Sequence, residues 1–131
     1  NSSSGAGEVR GYMNRTANYS TGMKIIELTG IKQSGSIATT ASGSASSQTS
    51  QSQAIATTAG QIVIDTISLS EIAATNGAVG ASQTQVGAFT SGGKGGSYET
   101  ASGTSTTMSW SWDNSSNVLF AIAAIISDVY S

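Results

Sequence analysis

Histidine, cysteine and proline are all absent from this 131-residue chain, and charge is scarce: 9% of residues are Asp, Glu, Lys or Arg, against about 25% in an ordinary domain. Each gap removes a class of chemistry. Without histidine, a Ser-His nucleophilic pair has no base. Lys24, Lys32 and Lys94 stand in no Ser-x-x-Lys pattern that would replace it. Without His or Cys, a transition-metal site lacks its usual ligands, and no disulfide can form. Five basic residues against seven acidic give a net charge of −2, which leaves no basic face for nucleic acid and no polybasic patch for a membrane surface. The most apolar stretch, Val118 to Ile126, falls well short of the ~20 residues needed to span a bilayer. No signal peptide is evident. The chain starts at Asn1 rather than Met, as expected of a processed product or a portion of a longer chain.

What fills the chain is neutral and polar: 25 Ser, 16 Thr, seven Gln and 16 Gly. Thr is β-branched and fits a pleated strand. Glycine supplies turns at positive φ. The charged residues that sustain long helices are few. Residues 1–22 are Gly/Ser-rich with few apolar anchors, and read as a polar N-terminal arm or edge segment; residues 23–131 read as one β-sandwich domain.

Within that domain, short alternating runs are separated by turn signals. Strands are expected at 23–29, 36–44, 53–58, 61–69, 82–89, 97–102, 106–112 and 118–127, with a loop at 46–52 and a helical turn or two at 70–75. About eight short strands at this spacing, with long connections, predict an antiparallel β-sandwich of jelly-roll or Greek-key type. Met108, Trp110 and Trp112 share one strand face, which favours a core stripe over an exposed sugar-stacking platform. Val118 to Ile126 is apolar on both faces, which predicts a central strand covered on both sides, by the arm or by a neighbouring subunit.

Candidate sites are few. The seven carboxylates, Glu8, Glu27, Asp65, Glu71, Glu99, Asp113 and Asp128, are scattered rather than paired as a glycosidase needs. Gly92 to Gly96 lacks the Lys-Ser/Thr ending of a phosphate loop and reads as a flexible loop. Asp113 to Asn117 carries oxygen ligands for calcium, but a plain hairpin turn is the simpler reading. Asn14, Asn18 and Asn114 each begin an N-glycosylation sequon, as does Asn1; a glycan-coated arm is one expectation. No cofactor is indicated.

Several segments resemble a known module. Gly60-Gln61-Ile62-Val63-Ile64-Asp65 is similar to its "G-(D/E/Q)-L-V-V-D" strand, and Val79-Gly80-Ala81-Ser82-Gln83-Thr84-Gln85 to its "V-G-A-G-Q-T-Q" segment. Thr106 to Trp112 resembles "V-T-M-S-W-T", Phe120-Ala121-Ile122 resembles "W-A-I", and Glu27 to Ile31 resembles "F-T-G-V". This is a jelly-roll-like β-sandwich that recurs in large secreted bacterial and archaeal surface proteins and in phage structural proteins. The resemblance runs from about Gly22 to Ser127 and implies a structural or adhesive role without catalytic residues. The module usually has further strands before "F-T-G-V", where only residues 1–22 stand here, so another chain is expected to supply an edge. The sequence thus points to a non-enzymatic structural protein of an extracellular, cell-surface or virion assembly: a capsid decoration, fibre or filament subunit. Its expected partners are copies of itself or another structural subunit. The alternative is a carbohydrate-binding or adhesion module with glycan partners.

Overall fold

The computed structural model describes residues 28, 31, 34–70, 76–89 and 93–126. These form an all-β antiparallel fold with no helix among them. Six strands are present: β1 (Ile37–Ala56), β2 (Ile62–Leu69), β3 (Ala78–Val79), β4 (Thr84–Gln85), β5 (Lys94–Thr100) and β6 (Ser105–Ile125). They belong to one hydrogen-bonded sheet, ordered β1-β6-β2-β5-β4, with β3 added beside the first half of β6.

This differs from the expected run of about eight short strands. The two strands expected at 36–44 and 53–58 are one 20-residue strand, and those at 106–112 and 118–127 are one of 21. The Ser/Gln-rich segment expected as a loop lies inside β1, and the Asp113–Asn117 turn lies inside β6. The cause is pairing on both sides of the polar stretches: β1 and β6 run antiparallel from Ile37↔Ile125 to Ala56↔Ser105, with Gln48↔Ser116 between the two regular ladders, so each strand runs through its polar middle. Gly92 to Gly96 also departs from the expected loop, because Lys94 already starts β5. The expected 82–89 strand contracts to Thr84–Gln85. The expected arm at 1–22, the expected strand at 23–29 apart from Leu28, and the body of the expected helix at 70–75 lie outside the described residues.

The long ribbon is interrupted once in the middle. Gln48 pairs with Ser116 and Ser50 with Ser111, so Trp112 to Ser115 face a single residue of β1. Ser47 takes a left-handed conformation at φ 56°, and its N–H donates to Asn117 Oδ1 at 3.2 Å. The Trp112 indole N–H donates to the Gln48 carbonyl at 2.9 Å across the same irregularity. A bulge of this kind bends the ribbon, and here the sheet doubles over. A Cβ on Gly43, in the first half of β1, would lie 3.1 Å from Gln53 Oε1 in the second half.

The core fills the fold of this doubled sheet. Met108, Trp110 and Trp112 from the first half of β6 are buried with Val118, Phe120, Ile122 and Ala124 from the second. Val63, Ile67 and Leu69 of β2 and Ile55 of β1 complete the cluster. Each large apolar side chain contributes roughly 1.5–3 kcal/mol by leaving water. The expected stripe of Met108, Trp110 and Trp112 is therefore core. The expectation for Val118 to Ile126 holds mainly on one face: Val118, Phe120, Ile122 and Ala124 are buried, with Ile125 at the strand's end, while Leu119 is 65% exposed.

Glycine sets the fit at the centre. A Cβ on Gly95 of β5 would sit 2.5 Å from Trp110 Cη2, so the indole rests on bare backbone. The Phe89 ring completes this contact, with its centroid 5.6 Å from that of Trp110. Replacing Gly95 by Ala is expected to destabilise the fold by about 1–3 kcal/mol, the usual range for overpacking a filled core. Urea unfolding checks this; a change within measurement error would mean that the indole can move aside.

Candidate functional site

The residues with chemical potential sort into a buried polar cluster and an open outer surface. The cluster begins with Asp65, the lone charge of β2, 1% exposed. Its Oδ1 accepts from the Ser97 backbone N–H at 2.8 Å and from Ser97 Oγ at 2.9 Å. Its Oδ2 accepts from the Trp110 indole N–H at 3.0 Å and from Gln83 Nε2 at 3.2 Å. Gln83 is itself fixed at both ends. Its amide nitrogen also donates to Ser97 Oγ at 2.7 Å, and its Oε1 accepts from the backbone N–H of Ser109 at 2.7 Å and of Gly80 at 3.2 Å. No buried side-chain nitrogen or oxygen lacks a partner among the described residues.

The placement follows from register. Asp65 lies opposite Ser97 of β5 and Ile122 of β6, on the inward face of the sheet. Trp110 comes from the other half of β6 and reaches it across the fold. Gln83 sits at the turn that links Gly80 to β4, where the Gln83 N–H donates to the Gly80 carbonyl. In the sequence Asp65 stands as one of seven scattered carboxylates and Gln83 within a segment similar to a known module, with nothing to join them or Ser97. The available signal is that a carboxylate in a buried strand demands donors.

Burial raises the Asp65 carboxyl from its usual 3.8 to about 6; the nearby Glu99 charge adds to this, and the hydrogen bonds from Ser97 and Trp110 oppose it. Trp110, the Ser97 amide and the Gln83 amide nitrogen can only donate. A proton on the acid therefore has one place to sit, on Oδ1 pointing to Ser97 Oγ. Asp65 and Ser97 at the centre of the cluster are closed to water. The cluster's chemistry is to tie β2, β5, β6 and the β3–β4 connection together.

The other sequence-selected residues are dispersed. Asn114 is exposed within β6; Asn14 and Asn18 lie outside the described residues. Of the carboxylates, Glu99 accepts from Ser82 Oγ at 2.8 Å and Asp113 from Asn76 Nδ2 at 3.1 Å. No group of three metal-ligating side chains occurs among the described residues, and no described helix is long and apolar enough to cross a membrane. Tyr98 is 41% exposed.

The outer surface of the sheet is built from small residues. Across the strands run the rows Ser44–Leu119–Ser68–Lys94, Ser42–Ala121–Thr66–Gly96 and Thr40–Ala123–Ile64–Tyr98. A shallow groove crosses them, lined by Ser42, Thr66, Lys94, Leu119 and Ala121. At one side the sheet ends in β1, whose outer edge pairs with no other strand among the described residues.

No family model, no curated protein and no solved structure matches this chain.

The raised Asp65 pKa has a defined consequence for stability. The unfolded carboxyl ionises near 3.8 and the folded one near 6, so the folded state holds its proton longer. Stability from this group is full below pH 3.8, falls as pH rises through 6, and is then constant; the loss is about 3 kcal/mol. Asp65→Asn places an amide N–H against obligate donors and costs roughly 1–3 kcal/mol or more. That deficit is expected to be largest near pH 4 and to shrink toward pH 7, measured by urea unfolding of both proteins across the range. A pH-independent deficit would contradict the assignment.

Proposed function

We propose that this chain is a non-enzymatic structural subunit of an extracellular or virion surface assembly, in the manner of a capsid decoration, fibre or filament protein. The observation that carries the reading is β1: a 20-residue edge strand with no charged residue and no proline. Edge strands of proteins that work alone are normally shortened, charged or covered, because unpaired backbone groups recruit other strands. A long neutral edge suits a protein that works in contact with other chains.

Two further points support the reading. The buried carboxylate is occupied by structural hydrogen bonds. The surface of Ser, Thr, Ala and Gly is suited to close approach between chains. The resemblance to the jelly-roll-like module of surface and phage structural proteins belongs to this proposal. Three of the segments that carry it meet at one point, through Asp65, Gln83 and Trp110. The adhesion alternative draws less support, because Trp110 and Trp112, the rings best suited to stack on sugars, are 2% and 5% exposed.

Immunogold labelling and electron microscopy of native material test the proposal. The expected outcome is label on a regular particle or filament. Label found only on dispersed single chains would overturn it, and glycan-array binding abolished by Tyr98→Ala would favour the adhesion module instead.

A further inference from the structure

We propose that two copies of this chain join edge to edge through β1, about a two-fold axis, so that the sheet continues from one copy into the other. The inference rests on the structural-subunit reading and names the first contact of the assembly.

The argument starts from what an open strand edge requires. Alternate residues of β1 turn their N–H and C=O away from β6, and only a strand can satisfy such a row in order. The register shifts at Ile37/Thr39, Ala45/Gln48 and Gln48/Ser50 leave two regular stretches, Thr39–Ala45 and Ser50–Ala56. Each is seven residues long, the length of an ordinary strand. Gln48, Gln51 and Gln53 fold back on their own strand, and their amides donate to the carbonyls of Ser46, Ser52 and Ala54 at 3.0, 3.3 and 3.2 Å. These exposed local bonds stand where an adjacent strand would supply backbone N–H groups.

The occupant follows from charge and from the other edge. β1 contains no Asp, Glu, Lys or Arg, so a second β1 meets it without like-charge repulsion in any register. The opposite edge is β4, two residues long, beside a β5 that carries Lys94 and Glu99. On the other side of the bend, the outer edge of β6 is free of a paired strand only over Ser105–Ser109, before the two-residue β3. Among the described residues β1 is therefore the longest neutral edge, and it pairs like with like. Such a contact is isologous and closes on itself as a dimer, rather than propagating head to tail. Because the sheet doubles over, β1 borders both of its halves on the same side. A two-fold axis normal to the sheet thus extends the 39–45 stretch and the 50–56 stretch together, each antiparallel to its own copy. Ile37, 59% exposed at one end of this edge, lies beside the junction.

The test uses the whole chain. Sedimentation equilibrium of wild type is expected to give twice the 13.1 kDa chain mass. Hydrogen exchange is expected to show β1 amides whose protection is lost on dilution. Ser42→Lys/Ser52→Lys places charges on both stretches at exposed positions. It is expected to raise the dissociation constant about tenfold or more, with unfolding by urea unchanged when both proteins are measured well below their dissociation constants, where each is monomeric. Leu119→Lys/Ala121→Lys adds the same charge at exposed positions of β6 where it lies between β1 and β2, and is expected to remain dimeric. A monomeric wild type, a dimer that survives the β1 variant, a dimer broken by the β6 variant, or mass that grows without limit would each overturn the proposal. A dispersed β1-paired dimer outside any particle would support the edge contact and retire the assembly reading. A particle whose subunits do not meet at β1 would do the reverse.

Discussion

The fold depends on keeping one carboxylate inside. Asp65 is out of water, and a buried charge is tolerated only when the protein replaces its hydration shell. Four donors from three residues do this, and the three come from distant parts of the chain: Gln83 from the β3–β4 connection, Ser97 from β5 and Trp110 from β6. The cluster is a condition of geometry as much as of energy. Its bonds form only when β6 has folded back far enough to bring Trp110 over β2, and only when the Gly80–Gln83 turn is seated beneath Ser109. Apolar packing sets the location of the core, and Asp65 sets how its halves align.

That arrangement explains why glycine and tryptophan occupy facing positions. Trp110 must point its N–H at Asp65 while its ring fills the space over β5, and the ring reaches that depth because Gly95 offers no side chain. The row Gly43–Phe120–Ile67–Gly95 across the sheet has large residues at its centre and glycine at both ends. A doubled sheet that closes around two indoles is thickest at its middle and thin at its rims, and this row follows that shape.

The sequence made the class of fold and much of the core legible. The β-branched run of β2 and the Met108–Trp110–Trp112 stripe both stand where alternation placed them, because each carries its hydrophobic pattern within a single strand. What stayed hidden depends on the partner strand. Residues 46–52 of β1 have the composition of a loop, and Asp113 to Asn117 that of a turn; each is carried within a strand because the regular ladder on either side of it pairs β1 with β6, with Gln48↔Ser116 between. Pairing of this kind has no local signature. The left-handed Ser47, which allows the bend, is equally silent in a segment where serine is everywhere. Gln83 was invisible for a different reason: a glutamine becomes an interior residue only when both ends of its amide are bonded, and those partners are up to 26 residues away in sequence.

Scarcity of charge acts at both levels of this structure. Inside, Asp65 is met by hydrogen-bond donors, and no Lys or Arg among the described residues is bonded to it; hydrogen bonds have direction where an ion pair has little, so this arrangement fixes angles between strands. Outside, it leaves β1 without the lysines that would keep other strands away. A monomer under selection for solubility alone would gain from charge at such an edge, at little cost to a core that β1 touches mainly through Ala41, Ala45 and Ile55. The neutral edge therefore carries a constraint that the core does not impose. Contact with another strand is the physical role that such a constraint fits.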